Sequence, residues 1–371
     1  MPPRWLEPPL RLLLRGFAGM PGRLRRRLAG APTEIDGQRL DPEVQLALRL
    51  VAATGGDRFE ALPVPEARLR VEAEARIFRG RRLPVGAVRD LSVAGAADPL
   101  PARLYDHTPA GEPAPLVVYF HGGGWVVGSL DTHDSAARFL SRESGALVLA
   151  VDYRLAPEHP FPAAVEDAAA AFRWAVEHAA ELGADPRRIA VAGDSAGGNL
   201  AAVVALEADG ARPAMQALIY PVCDLSRKRR SYQLFGEGFF LSEPQMDWYR
   251  DHYLAGPAAA SDPRASPLLA ADLAGAPPAY IAVAGFDPLR DECVDYAERL
   301  REAGVAVELR VHRGLVHGFA NAVGAGRVAA QAMGEVAAAL RAGLSRPPVP
   351  PPVAAYASAD GIEARREGSV R

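Results

Sequence analysis

The sequence has little of what marks several classes of protein. It contains only two cysteines, Cys223 and Cys293, which lie far apart and lack the spacing of a metal site. Such residues are most simply free thiols in a reducing compartment. We therefore predict a cytoplasmic protein that holds no metal ion.

Long apolar runs and strong charge are also absent. No stretch approaches the roughly 18 apolar residues of a membrane span, and the prolines and arginines of residues 1–14 make a poor signal peptide. A net charge of −3 over 371 residues gives no reason to expect a nucleic-acid partner. Residues 1–30 are basic and amphipathic, which suits a membrane surface, but a helix docked on its own protein is the commoner outcome. We expect no membrane contact.

Three regions differ in composition. Residues 1–85 show helical periodicity, clearest at Pro42–Ala52, and no strand pattern, so they predict an N-terminal extension and helical cap. Residues 86–345 alternate short apolar strands with helices and predict the main domain. Within them, residues 225–268 interrupt the alternation with a concentration of aromatics, which favours a second cap piece. Residues 346–371 begin with a proline-rich run that cannot form a core, and we predict disorder there.

The main domain, residues 86–345, predicts an α/β fold with a mostly parallel sheet flanked by helices. The central strands are nearly continuous apolar runs, as expected where helices cover both faces of a sheet. A helix with one apolar stripe is predicted at Ala164–Ala180. Eight strands are predicted: Val88–Val93, Ala102–Asp106, Leu116–Phe120, Ala146–Val151, Ile189–Gly193, Gln216–Tyr220, Tyr280–Ala284 and Val305–His312.

A Gly-x-Ser-x-Gly motif lies between one predicted strand and the following helix. Gly193 and Gly197 flank Ser195 and, lacking Cβ atoms, avoid the clash that a sharp strand-to-helix turn creates. This context is the one described for the nucleophile of α/β-hydrolases. The helix N-terminus beside Ser195 favours a developing negative charge. The alternative is an ordinary serine in a glycine-rich turn.

A second glycine-rich run, residues 121–125 (His-Gly-Gly-Gly-Trp), directly follows a predicted strand. Its open backbone can turn amides into a site, and the amides of Gly122 and Gly123 with that of Ala196 would form an oxyanion hole. A phosphate cradle or a plain flexible loop is the alternative. No Gly-Lys-Ser/Thr follows, and the Gly-x-Gly-x-x-Gly spacing is missing, so neither a P-loop nor a dinucleotide site is predicted. We expect no cofactor.

Together these motifs resemble those of a known family. In order, the chain carries His-Gly-Gly-Gly-Trp at 121–125, Asp-Tyr-Arg-Leu-Ala-Pro-Glu-His-Pro-Phe-Pro-Ala-Ala at 152–164, Gly-Asp-Ser-Ala-Gly-Gly at 193–198, Asp-Pro-Leu-Arg-Asp-Glu at 287–292 and His-Gly-Phe at 317–319. They are similar to those of the hormone-sensitive-lipase-like esterases, the bacterial family IV carboxylesterases. The similarity runs from about residue 40 to 343. It implies an α/β-hydrolase fold, hydrolysis of carboxylic esters with short to medium acyl chains, and pairing of family members as homodimers.

The remaining members of a catalytic triad should follow in the order Ser, Asp or Glu, His. Asp287 lies just past a predicted strand and is the acid that the resemblance selects, while Asp291 lies nearer the next helix and Asp224 follows the preceding strand as a rival. The last histidine, His317, precedes a glycine in a loop and is the predicted base. His312 lies at the predicted strand end and is expected to be structural.

The sequence thus predicts a serine carboxylesterase that acts on a small-molecule ester. Ser195, Asp287 and His317 would act through an acyl-serine intermediate. The same chemistry on an amide or thioester is an alternative, because Gly-x-Ser-x-Gly does not separate these substrates. A ligand-binding receptor on the same scaffold is a second alternative, which the three triad residue types disfavour.

Overall fold

A computed structural model of the chain describes residue 16 and residues 19–53, 58–109, 111–207 and 211–345. The tail for which disorder is predicted, residues 346–371, lies outside the described residues, as do nearly all of the first 18 residues. Within the described ranges, none of the helices has the length and apolar character to cross a bilayer.

In the part of the chain that the structure describes, eight strands form one sheet, which confirms the predicted fold class. Their order across the sheet is β10-β9-β8-β7-β5-β6-β4-β3, and β4 pairs antiparallel with both β3 and β6 while the other neighbours are parallel. The bounds are β3 Ala87–Val93, β4 Leu100–Asp106, β5 Ala114–Phe120, β6 Leu147–Val151, β7 Ala184–Asp194, β8 Gln216–Ile219, β9 Ala279–Phe286 and β10 Val307–Val316.

Both faces of the sheet are buried, because alternate residues of the central strands enter two separate cores. In β5, Leu116, Val118 and Phe120 pack on one face, and Val117 and Tyr119 on the other. Helices complete each core and leave the carboxyl ends of the parallel strands as the place for a site.

The helices lie on both sides of the sheet. Residues of α4 and α11 belong to one core, and residues of α5, α7 and α10 to the other. The bounds are α1 Gly22–Ala29, α2 Pro42–Ala53, α3 Val64–Phe78, α4 Asp134–Ser144, α5 Ala163–Glu177, α6 Ala179–Leu182, α7 Ala196–Leu206, α8 Arg230–Phe235, α9 Glu243–Tyr253, α10 Arg290–Glu302 and α11 Arg327–Leu344.

Three sequence predictions need correction. The region before residue 85, expected to contain no strand, holds a short hairpin of β1 (Glu34–Ile35) and β2 (Gln38–Arg39). The helix predicted at Ala164–Ala180 is two helices, α5 and α6. The last strand, predicted to end at His312, continues to Val316. Strand β10 lies at the edge of the sheet and carries exposed polar side chains. Its end could not be placed from sequence because it lacks the continuous apolar run that marks a buried strand.

Candidate active site

Ser195 occupies the sharp turn between β7 and α7. Its φ is 55°, in the left-handed region that L residues adopt only where the surrounding structure imposes it. A Cβ atom on Gly197 would overlap the carbonyl group of Phe120, and one on Gly193 would overlap Gly197. Both positions therefore require glycine, and the serine is held at the N-terminus of α7.

The serine belongs to a hydrogen-bonded chain with a histidine and an aspartate. Ser195 Oγ lies 2.9 Å from His317 Nε2, and His317 Nδ1 lies 2.7 Å from Asp287 Oδ2. Asp287 directly follows β9 and His317 directly follows β10, so two neighbouring parallel strands place them at the same edge. Leu289 N–H donates to Asp287 Oδ1 at 2.9 Å and orients the carboxylate. This geometry allows the imidazole to take the serine proton while the carboxylate fixes its tautomer.

The rival residues lie elsewhere. Asp224 Oδ2 pairs with Arg229 at 3.0 Å, and Asp291 accepts the N–H of Ser231 at 2.8 Å. His312 lies inside β10, where burial lowers the pKa of its imidazole. Within the described residues, none of these three hydrogen-bonds to the serine or to His317.

The oxyanion-hole prediction needs one correction, at Gly122. The N–H of Gly122 donates to Asp194 Oδ1 at 2.9 Å, so it is not free to bind a negatively charged oxygen. The amides of Gly123, Gly124 and Ala196 donate to no acceptor among the described residues. Gly123 and Gly124 have positive φ angles, and both line the cavity above the serine. The free donors of the glycine run are thus its second and third glycines.

Asp194, inside the Gly-x-Ser-x-Gly motif, anchors the glycine run. Besides the Gly122 amide it accepts the hydroxyl of Tyr119 at 2.6 Å, and His133 Nε2 lies 3.3 Å away. Burial opposes ionisation of this carboxyl, but His133 and the hydrogen bonds outweigh it and hold its pKa at about 2. No sequence pattern singles out Asp194. Its position next to the serine is the only local sign of its role, because the groups that it binds, on Tyr119, Gly122 and His133, come from distant parts of the sequence.

Tyr220 links this carboxylate to the histidine loop. Its hydroxyl lies 3.5 Å from Asp194 Oδ2 and accepts the N–H of Ala320 at 3.1 Å, while its ring packs against His317 with centroids 4.4 Å apart. The glycine run, the serine turn and the histidine loop therefore share one buried network.

A second buried carboxyl, that of Glu292, stabilises the loop that contacts the serine turn. Glu292 Oε1 accepts the N–H groups of Cys223 at 2.8 Å and Asp224 at 3.3 Å. The preceding amide, Val222 N–H, donates to the Ser195 carbonyl at 3.2 Å. Glu292 has no exposed surface, and burial raises the pKa of its carboxyl to about 8. The loop beside the serine is thus held by an acid that is neutral at neutral pH.

A cavity of about 430 Å³ opens above Ser195. Its walls are mainly apolar and come from the carboxyl edge of the sheet, from α2 and α3, and from residues 238–249. Phe59 packs on Trp248 and Tyr249 at centroid distances of 5.3 and 5.6 Å and forms an aromatic wall. Tyr249 lies directly against the glycine run, because a Cβ on Gly124 would overlap its ring. Such a cavity suits an uncharged organic ligand.

Comparison with known proteins gives consistent results. A family model of the alpha/beta hydrolase fold matches residues 117–321. The carboxylic ester hydrolase LipN of Mycobacterium tuberculosis is 49% identical over 330 residues, which cover 86% of this chain and 87% of that protein. The ethyl acetate hydrolase of Pseudomonas putida is 41% identical over 293 residues, covering 76% of this chain and 92% of the relative.

Solved structures agree with these relatives. The hyperthermophilic esterase of Pyrobaculum calidifontis is 39% identical with a TM-score of 0.78, covering 82% of this chain and 98% of that one. An ester hydrolase from the metagenome of Lake Arreo is 40% identical with a TM-score of 0.80, covering 83% of this chain and all of the other. Both similarities extend well beyond the motifs.

Proposed function

This chain belongs to the α/β-hydrolase family of hormone-sensitive-lipase-like carboxylesterases, and from that membership we propose that it is a serine carboxylesterase acting on short- to medium-chain esters. The observation that carries the proposal is the unbroken hydrogen-bonded chain from Ser195 Oγ through His317 to Asp287, with distances of 2.9 and 2.7 Å. Close relatives are esterases by name, which supports the ester as the substrate class.

In the proposed mechanism His317 takes the proton of Ser195 as the hydroxyl attacks the ester carbonyl. Asp287 holds the imidazole by its Nδ1–H and stabilises the imidazolium. The amides of Gly123, Gly124 and Ala196 stabilise the oxyanion, with Gly124 in the role that the sequence assigned to Gly122. Collapse releases the alcohol, protonated by His317, and water then hydrolyses the acyl-serine by the same steps.

The mainly apolar cavity above the serine supports the chain-length part of the proposal. Its volume of about 430 Å³ suits a substrate of modest size, and its aromatic wall favours an apolar acyl or alcohol group. An amide or thioester of similar shape would fit equally well, so the substrate class needs direct comparison.

The deciding assay is hydrolysis of p-nitrophenyl butyrate by the wild type and by Ser195→Ala. Ser92→Ala, at an exposed position of the edge strand β3, is the matched control. We expect activity in the wild type and the control and a loss of several orders of magnitude in Ser195→Ala. Esters of longer acids then define the length limit, and the butyryl anilide and thioester test the alternatives. A folded wild type that hydrolyses none of these, or an active Ser195→Ala, would overturn the proposal.

We also propose a cytoplasmic location and pairing as a homodimer. Cys223 and Cys293 are both free and buried, which suits a reducing compartment. Strand β10 ends the sheet with one side unpaired among the described strands, which suits pairing between copies. Light scattering in solution tests the second statement.

A further inference from the structure

The short hairpin before α2 lies across the ends of the two strands that carry Asp287 and His317. We call residues 34–41, which comprise β1, the two-residue turn, β2 and the two residues after β2, the hairpin clamp. Gln38 Nε2 donates to the carbonyl of Gly285 in β9 at 3.0 Å, in a buried position. The N–H of Asp41 donates to the carbonyl of Gly314 in β10, also at 3.0 Å. The clamp therefore binds β9 two residues before the acid and β10 three residues before the base.

The clamp binds β10 where its pairing with β9 is irregular. The regular register runs to His312, opposite Ala284, and resumes only at Val316, opposite Phe286. Four residues of β10 thus span what two residues of β9 span, as in a bulge. Gly314 lies inside this irregular stretch, so the Asp41 amide supplies a hydrogen bond where the ladder is interrupted.

Side-chain packing acts on the same two strand ends. Leu40 is 2% exposed and belongs to one apolar cluster with Phe286 and Val316. These two residues immediately precede Asp287 and His317. Any shift of Leu40 would therefore be passed to the backbone that carries the acid and the base.

The turn of the clamp ties the acid loop to the second cap piece. Asp36 pairs with Arg290 at 2.8 Å and with Arg230 at 2.9 Å. Arg290 begins α10 and donates its N–H to the Asp287 carbonyl at 3.1 Å, while Arg230 begins α8. Arg230 and Arg290 hold the pKa of the Asp36 carboxyl below its usual range, so the turn carries a negative charge between two cations.

We propose that the hairpin clamp sets the geometry between Asp287 and His317, and that Gln38 and Asp36 are positioning residues for the reaction. This inference rests on the proposed esterase function. Small displacements of catalytic groups cost large factors in rate, so loosening the clamp should lower kcat more than it changes KM. The substrate cavity is not lined by the clamp residues, which leaves binding largely untouched.

Two variants test the clamp. Gln38→Met keeps the side-chain size and removes the donor to Gly285. Asp36→Asn removes the charge, and asparagine tolerates the left-handed φ of 55° at this position. Glu34→Gln is the matched control, because Glu34 lies in the same hairpin but its side chain is 62% exposed. Its ion pair with Arg39 is long, at 3.9 Å.

Kinetics with p-nitrophenyl butyrate, corrected for the folded fraction from urea unfolding, give the readout. We expect kcat to fall by about tenfold in Gln38→Met and Asp36→Asn, with KM within about twofold and the control unchanged. The rate at which an organophosphonate inactivates Ser195 should fall in parallel. An active wild type with variants that match the control, or variants whose loss disappears after correction for folding, would overturn the clamp alone. A wild type without hydrolase activity would overturn the proposed function and the clamp together.

Discussion

The buried carboxyl of Glu292 should make the protein less stable as pH rises through neutrality. Its pKa is about 8 in the folded protein against an ordinary 4.5, because burial disfavours the charged form. A raised pKa of an acid means that the folded state binds the proton more tightly than the unfolded state does. The stabilisation is therefore complete below about pH 4.5 and is lost as pH rises to about 8. At 1.36 kcal/mol per pKa unit, the loss in unfolding free energy is up to about 5 kcal/mol.

Glu292→Gln isolates this effect. Glutamine keeps an oxygen for the amides of Cys223 and Asp224 but has no proton to lose. The other carboxyl oxygen of Glu292 is buried and has no hydrogen-bond partner among the described residues, so the amide group disrupts no existing bond there. We expect the variant to lie within about 1 kcal/mol of the wild type near pH 5 and to be more stable by about 2 to 5 kcal/mol near pH 9.

Urea unfolding followed by circular dichroism across this pH range measures the difference. Glu302→Gln, at the exposed far end of the same helix, is the control and should follow the wild type. Parallel curves for wild type and Glu292→Gln between about pH 5 and pH 9 would refute the reasoning. So would a variant that is the less stable of the two at high pH.

Three further predictions concern the active site. Asp194→Asn removes the charge that binds the glycine run, so kcat should fall by roughly 10- to 100-fold and the unfolding free energy by about 2 kcal/mol. An unchanged kcat for hydrolysis of the butyrate ester would contradict the role of Asp194 in holding the glycine run. Gly124→Ala places a methyl group against the Tyr249 ring and should lower kcat/KM by about 100-fold. Adding Tyr249→Ala should restore part of this loss, and a fully active single variant would show that Gly124 is not part of the oxyanion hole. Asp287→Asn should lower kcat by about 10³-fold or more and Asp224→Asn by less than about tenfold; kinetics showing the opposite order would move the acid to the other strand.

The sheet could be predicted from sequence because each central strand is defined by its own residues. Leu116–Phe120 and Ile189–Gly193 are almost wholly apolar and lie in the fully buried middle of the sheet. The end of β10 could not be placed in this way. Residues 313–316 combine an arginine and a glycine with two apolar residues, and what holds them in the strand lies in distant segments: Val316 pairs with Phe286 of β9, and the Gly314 carbonyl accepts the N–H of Asp41.

The oxyanion donors could be assigned to the glycine run but not to particular glycines. Which amide is free depends on Asp194, which is 72 residues from Gly122 in sequence and takes its N–H. The hairpin of Glu34–Ile35 and Gln38–Arg39 escaped prediction for a related reason. Strands of two residues carry no periodicity, and most of what holds this hairpin in place lies some 250 residues further along the chain.

That separation bears on the order of events during synthesis. Gln38 leaves the ribosome early, but the carbonyl that receives its hydrogen bond belongs to Gly285, 247 residues later. At 5–20 residues per second this interval lasts roughly 12 to 50 s. During that time Leu40, which is buried in the finished fold, lacks its partners Phe286 of β9 and Val316 of β10. The nascent chain thus leaves Leu40 without these two partners until β9 and β10 emerge, so the hairpin reaches its final position only late in synthesis.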